Sequence, residues 1–428
     1  MEKAVLLWLK QKNREKQSTN QKLQILVHEC KWFVMCPIQI IRKDKNFQFS
    51  HLITISLAHM LHDIYSSFLA PVLPLIINKF NISFSLASLL NVIQRLPSVI
   101  SPFVGLLADR ISLRYLVIIS PSVTGIVMSL LGVAPNYIVI VILLIVMGIS
   151  ASLFHVPAPV MISNLAGNRK GMGMSFYMLG GEIARTIGPL FVVAAVSLWT
   201  FEGTWRLMPF SLACSFVLFL KLRKIKPDSK FDDRKDIQKK WKTFRSFLPL
   251  LIPLTAFLFF NTFIRETLRF YLPTYLNIKG ESLWTGGVAL SVFQFAGAGG
   301  SLISGTFSDK LGRIRTLMIM AFLSPVFMLL FIYIPVRPLS FIFLAGLGIS
   351  SVGPGPVLLA FINEVRTDRK AFLNGIYISV SFLTGSADIM VVGALSDWLG
   401  LEITFKICVF LAIFAIPAVY YISRKYSN

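Results

Sequence analysis

The chain has 428 residues, a length that alone would suggest two or three soluble domains, but 55% are hydrophobic, 14% are charged and the mean hydropathy is +0.70. About 20 apolar residues cross the ~30 Å hydrocarbon core as a helix, and runs of that length fill most of the chain, so composition leaves little room for a soluble catalytic or output domain. The net charge of +22 does not mark a nucleic-acid groove: of 42 Lys and Arg, 33 lie towards one face, 5 towards the other and 4 (Arg95, Arg185, Arg265, Arg269) within spans, which is the positive-inside bias of a membrane protein.

In chain order, residues 1–49 carry ten Lys and Arg and an apolar run broken by His28, Glu29 and Lys31. They lack the clean apolar core of a cleavable signal. An interfacial amphipathic helix on the cytoplasmic face and a poorly ordered extension are both open readings. Twelve spans follow, at roughly 51–78, 84–107, 115–134, 137–164, 171–198 and 203–221, then 247–275, 284–307, 315–335, 338–364, 371–396 and 402–423. The expected fold is all-α: twelve transmembrane helices in two pseudo-symmetric six-helix bundles, 50–221 and 247–428, joined by a lysine-rich cytoplasmic linker at 222–246. Both termini are expected on the linker side. Cys30, Cys36, Cys214 and Cys408 form no metal-ligand cluster.

One short stretch is written twice. Gly105-Leu-Leu-Ala-Asp109-Arg110-Ile-Ser112-Leu-Arg114 recurs 200 residues later as Gly305-Thr-Phe-Ser-Asp309-Lys310-Leu-Gly312-Arg313-Ile-Arg315. The same offset relates Gly148-Ile-Ser150 to Gly348-Ile-Ser350 and Trp205-Arg206-Leu207 to Phe405-Lys406-Ile407, as parallel repeats of one bundle require. Gly105 and Gly305 are expected to make tight turns. Asp109 and Asp309, against a helix N-terminus or a loop base such as Arg110 or Arg313, would lock one side of the protein closed. Glycine and proline concentrate in spans 5, 8 and 10, where small residues allow close packing and proline loosens the helix.

Ionisable residues inside hydrocarbon are costly and point to function. Asp63 lies near mid-membrane in span 1, with His59 one helical turn earlier on its face and His62 about a quarter-turn away. Two readings of Asp63 stand, a proton carrier or substrate ligand, and a permanent pair with Arg95 at similar depth in span 2. His155 is a lone histidine in span 4. Glu182 and Arg185 are spaced to pair along span 5. Arg265 and Arg269 in span 7 share a face with Glu266 to one side, and with Arg185 they would suit an anionic or zwitterionic substrate.

The duplicated loop resembles G-x-L-x-D-R-x-G-R-R/K of the major facilitator superfamily, with Ser112 and Leu113 departing from it in the first copy. That resemblance implies a transporter whose spans 1, 4, 7 and 10 line a midplane cavity, which places His155 there. Two stretches are similar to the bacterial fosmidomycin-resistance-type exporters. One is His59-Met-Leu-His62-Asp63 with Leu73-Pro74; the other is Gly148-Ile-Ser-Ala-Ser-Leu-Phe154-His155 continued by Gly180-Gly181 and Gly188-Pro189-Leu190. His62 stands for that family's asparagine and Val156 for its proline, while Glu182 and Arg185 interrupt its small and polar positions. The resemblance implies proton coupling through Asp63, His59 and His155, in a protein of the bacterial cytoplasmic membrane.

The leading expectation is a proton-coupled exporter of a small organic molecule; the alternative is an importer of an organic anion or metabolite. Its partners would be the substrate, protons and the lipid bilayer, with no nucleic acid, for a chain working as a monomer. No cofactor is expected, and the linker holds no G-x-x-x-x-G-K-[ST] phosphate loop. No H-E-x-x-H or G-x-S-G arrangement suggests an intramembrane enzyme.

Overall fold

The computed structural model describes residues 48–97, 113–223, 237–334, 336–364 and 370–426, and these are helices and short connections with no strand among them. The expected extension up to residue 47, the loop residues Gly105, Asp109 and Arg110, and linker residues 224–236 lie outside the described residues. Span 1 is α1 (Phe49–Ser66) and α2 (Leu69–Phe80); span 2 is α3 (Phe84–Arg95); span 3 is α4 (Leu113–Ser129). Span 4 is α5 (Tyr137–His155) and α6 (Pro157–Leu165), span 5 is α7 (Lys170–Trp199), and span 6 is α8 (Met208–Leu222) after a 3-10 turn. The second bundle comprises α9 (Ile237–Ile278), α10 (Leu283–Leu311) and α11 (Arg313–Tyr333) as spans 7 to 9. Span 10 is α12 (Arg337–Val352) with α13 (Pro354–Glu364), span 11 is α14 (Lys370–Leu399), and span 12 is α15 (Leu401–Ile413) with α16 (Ala415–Tyr426). Eleven of the twelve are long and apolar enough to cross a membrane over their described residues; span 2 is described only in its first half.

The packing follows from lipid as solvent. Ile138, Ile142, Ile145 and Ile149 repeat at helical spacing on span 4 and are exposed, while His59, His62, Asp63, Glu266 and Asp388 are buried. Lipid gives apolar side chains no reason to hide, so helices associate through small residues that let backbones approach. The repeated Gly-Ile-Ser shows this twice. A Cβ on Gly148 would stand 2.4 Å from the Gln94 carbonyl oxygen of span 2, and one on Gly348 2.4 Å from the Phe293 carbonyl oxygen of span 8. The same sequence thus makes the same approach in each bundle. Pro157 and Pro354 lack the N–H that would continue the ladder and divide spans 4 and 10 within three residues of corresponding places.

Short hairpins close one face. Asn81 turns in the left-handed region (φ 48°), and Ser83, Asn136 and Ser282 cap the helices that follow by accepting from backbone N–H groups at 3.0–3.2 Å. Span 6 ends, and span 7 begins, towards the opposite face. Every hydrogen bond or ion pair that joins the bundles among the described residues lies from mid-membrane towards the hairpin face. These are Arg95–Glu266, Ser88 with Tyr271 and the Ile389 carbonyl, Tyr271 with the Phe84 carbonyl, and Asp397 with the start of span 2.

Candidate functional site

Asp63 sits midway along span 1, and helix periodicity brings His59 over it: Nε2 is 3.3 Å from Oδ2. His62 does not point away. Its Nδ1 folds back to Oδ1 at 3.1 Å, because the ring stacks on Phe154 with centroids 4.8 Å apart. His155 reaches the same oxygen with Nε2 at 3.2 Å from the last turn of α5, just before the Pro157 break. One carboxylate is therefore ringed by three imidazoles. The cluster is buried except for His155, whose side chain is 40% exposed and gives it a way out of the bundle interior.

The outer sides of the rings fix where protons reside. His59 Nδ1 faces the Tyr177 carbonyl oxygen at 2.8 Å, which only accepts, so Nδ1 carries the hydrogen. Ser150 donates to the Ser120 carbonyl and Thr124 donates to Ser150, so Thr124 can only accept from His62 Nε2 at 3.0 Å. Each ring, if neutral, therefore turns a bare lone pair towards Asp63. His155 needs no extra proton, since its Nδ1 can accept from the Tyr177 hydroxyl at 3.3 Å. All contacts are attractive only when protons fill both the His59 and His62 links, which gives the cluster a single net positive charge. Removing one proton breaks one link, so this geometry can register its own proton load.

Arg95 does not pair with Asp63. Its Nη1 is 3.0 Å from Glu266 Oε2 across the bundle interface, while Arg265 Nε holds the other oxygen at 3.1 Å. Span 2 packs on span 11 and span 1 on span 5, so equal depth puts Arg95 and Asp63 on different faces. Glu266, expected to one side, is the buried centre of the group. Arg269, one turn further along span 7, is within electrostatic reach of Arg95, Glu266, Arg185 and Arg265 and has no carboxylate in ion-pair contact among the described residues. Arg185 and Glu182 pair at 2.6 Å on span 5, both about one-third exposed. The interface thus holds more guanidinium than carboxylate, an arrangement that binds oxyanions.

The second copy of the loop pattern corrects one expectation. Gly305 lies inside α10, which runs on to Leu311, and the turn is made at Gly312, where φ is +90°. Asp309 binds Arg313 at 2.5 Å, and Arg313 also binds Glu364 at the end of span 10 at 2.9 Å. Sequence reasoning missed Glu364 and also a third copy of the pattern, Gly393-Ala-Leu-Ser-Asp397-Trp-Leu-Gly400, again with a left-handed glycine three residues after the acid. On the hairpin face Asp397 crosses the interface and accepts from Phe84 N at 2.6 Å and Ser85 N at 2.9 Å, capping span 2. A loss of about 1 kcal/mol is expected for Asp397→Ala. Spin-label distances across that face should show the closed state depleted roughly fivefold; unchanged distance populations would rule the cap out as a latch.

A family model described as Major Facilitator Superfamily matches residues 55–387. The chain is 23% identical over 388 residues to the fosmidomycin resistance protein of Escherichia coli, covering 89% of this chain and 94% of that one. It is 23% identical over 395 residues to an uncharacterized MFS-type transporter of Bacillus subtilis, covering 88% and 94%. In fold it is similar to a bacterial homologue of the human lysosomal transporter Spinster in an inward-facing, occupied conformation (TM-score 0.76, 15% identity, 90% and 98% covered). It is likewise similar to a D-xylose–proton symporter (TM-score 0.68, 15% identity, 87% and 97% covered).

Proposed function

The chain belongs to the major facilitator superfamily, a family of transporters rather than enzymes, and from that premise we propose that it exports a small organic acid in exchange for protons. It is a multi-pass membrane protein and a secondary transporter working by alternating access. The observation that carries the coupling is the carboxyl of Asp63 held by three imidazoles, one of them with a 40% exposed side chain. Such a cluster can take a proton from one side and give it to the other as the bundles rock. The resistance named in the Escherichia coli relative supports export. The charge bias supports a cytoplasmic linker face and cytoplasmic termini, in a bacterial inner membrane. Arg95, Arg265 and Arg269 around the single carboxylate of Glu266 support an anionic substrate.

Proton movement in proteoliposomes tests this, with a panel of small carboxylates, phosphonates and phosphate esters added to one side. A transported compound should drive protons the opposite way. Protons moving with the compound would instead establish an importer, and flux with no proton movement would end the coupling proposal.

A further inference from the structure

Asp388 takes no part in either group above. It lies in span 11 and is fully buried. Its Oδ2 contacts the Thr262 hydroxyl of span 7, its Oδ1 has no hydrogen-bond partner, and no Lys, Arg or His among the described residues is in ion-pair contact with it. Around it, span 7 brings Glu266 and Arg265, which bind each other, and span 12 brings the Cys408 thiol. Span 2 brings Arg95, already on Glu266, and span 10 has no ionisable residue between Arg337 and Glu364.

The Thr262 hydroxyl has one hydrogen and three acceptors. It stands 2.8 Å from the Leu258 carbonyl oxygen and 3.3 Å from that of Phe259, the usual back-bond of a helical threonine. If Thr262 donates there, the hydrogen in its contact with Asp388 comes from Asp388 itself, as a carboxylic acid donating to Oγ1. If Thr262 donates to Asp388 instead, an ion is left fully buried with one neutral hydrogen bond and an unpartnered oxygen, far costlier than a neutral acid. Both routes lead to the same form.

We propose that Asp388 is a second proton-binding site, in the second bundle, loaded in the conformation closed on the hairpin face. As a place in transport this rests on the proton-exchange reading; the protonated state itself does not. The neighbouring Ile389 carbonyl accepts from Ser88 of the first bundle at 2.6 Å, so parting the bundles on the hairpin face breaks the contact beside Asp388. Water then reaches the carboxyl, which exchanges its proton with that water.

Infrared spectroscopy of the purified protein in lipid reads this without a substrate. The carbonyl stretch of a protonated carboxylic acid, which carboxylates lack, should be present in the wild type and shift in heavy water. It should vanish in Asp388→Asn, survive in Asp63→Asn as a band of Asp388, and move in frequency without loss in Thr262→Val. It should also bleach reversibly as pH is raised. A band that persists in Asp388→Asn with none lost, or one that never titrates while the protein stays folded, overturns the proposal. Because Thr262→Val leaves the carboxyl in place, it decides the matter if Asp388→Asn fails to fold. Proton flux with a transported acid fails separately if only the exchange reading is wrong.

Discussion

Asp63→Asn should reduce substrate-driven proton movement to background while leaving the protein folded and able to bind its substrate. The carboxyl is the acidic member of a cluster whose other members are His59, His62 and His155, and each of its contacts is made to one of its two oxygens. Asparagine keeps the shape and replaces one oxygen with an NH2 group. That donor suits the lone pair of a neutral imidazole, and the remaining oxygen suits an imidazole N–H. The substituted cluster can therefore be bonded with fewer added protons than the native one requires, which preserves structure but removes the reason to load. Downhill substrate movement should persist and lose its dependence on an imposed pH gradient. His155→Gln should be milder, because the buried links from His59 and His62 remain and only the exposed member changes. Measured with a pH-sensitive dye in liposomes, native proton movement by the asparagine variant would remove Asp63 from the coupling role.

Much of this site was legible in sequence because a helix converts spacing into direction. His59 and Asp63 are one turn apart, so their contact follows from any helical span. His62 was misplaced because periodicity gives the direction of a Cβ, about 100° per residue, and not where a ring with two free torsions ends; Phe154 decides that. Arg95 shows a different limit. Its depth was readable by counting residues, but its azimuth depends on which neighbour span 2 packs against, and that is span 11 of the other bundle. The duplicated loops were readable as a pattern, yet their partners were not. Asp309 found Arg313 four positions on, across the Gly312 turn, Arg313 found Glu364 fifty-one positions away, and Asp397 found backbone N–H groups 312 and 313 positions away. Gly305 holds the place of a turn glycine in the pattern, but the helical run continues through it to Leu311. Gly312 and Gly400, both left-handed, make the turns.

Glu266→Gln should destabilise the protein strongly and make small anions stabilise it more than they do the wild type. The native carboxylate is only 4% exposed, and it holds Arg95 from one bundle and Arg265 from its own. Arg269 sits one turn away without an acid of its own. Taking away one member of a buried charge pair costs about 3–5 kcal/mol. Arg95 is 29% exposed, which moderates its share, so the lower end, about 3 kcal/mol, is the expected loss. Three guanidiniums would then face one another across the interface with no anion between them, favouring separation of the bundles on the side they now close. A substrate carrying a carboxylate or phosphonate would supply the missing charge. Thermal unfolding in detergent should accordingly show a lower midpoint for the variant, raised in part by millimolar phosphate or a transported acid, with a smaller rise in the wild type. Arg269→Gln in the same background should cut that anion effect while recovering some of the lost stability, because it relieves repulsion and removes a ligand together. Equal anion effects in wild type and Glu266→Gln would mean that the arginines serve only to hold the bundles, and that the substrate is recognised elsewhere.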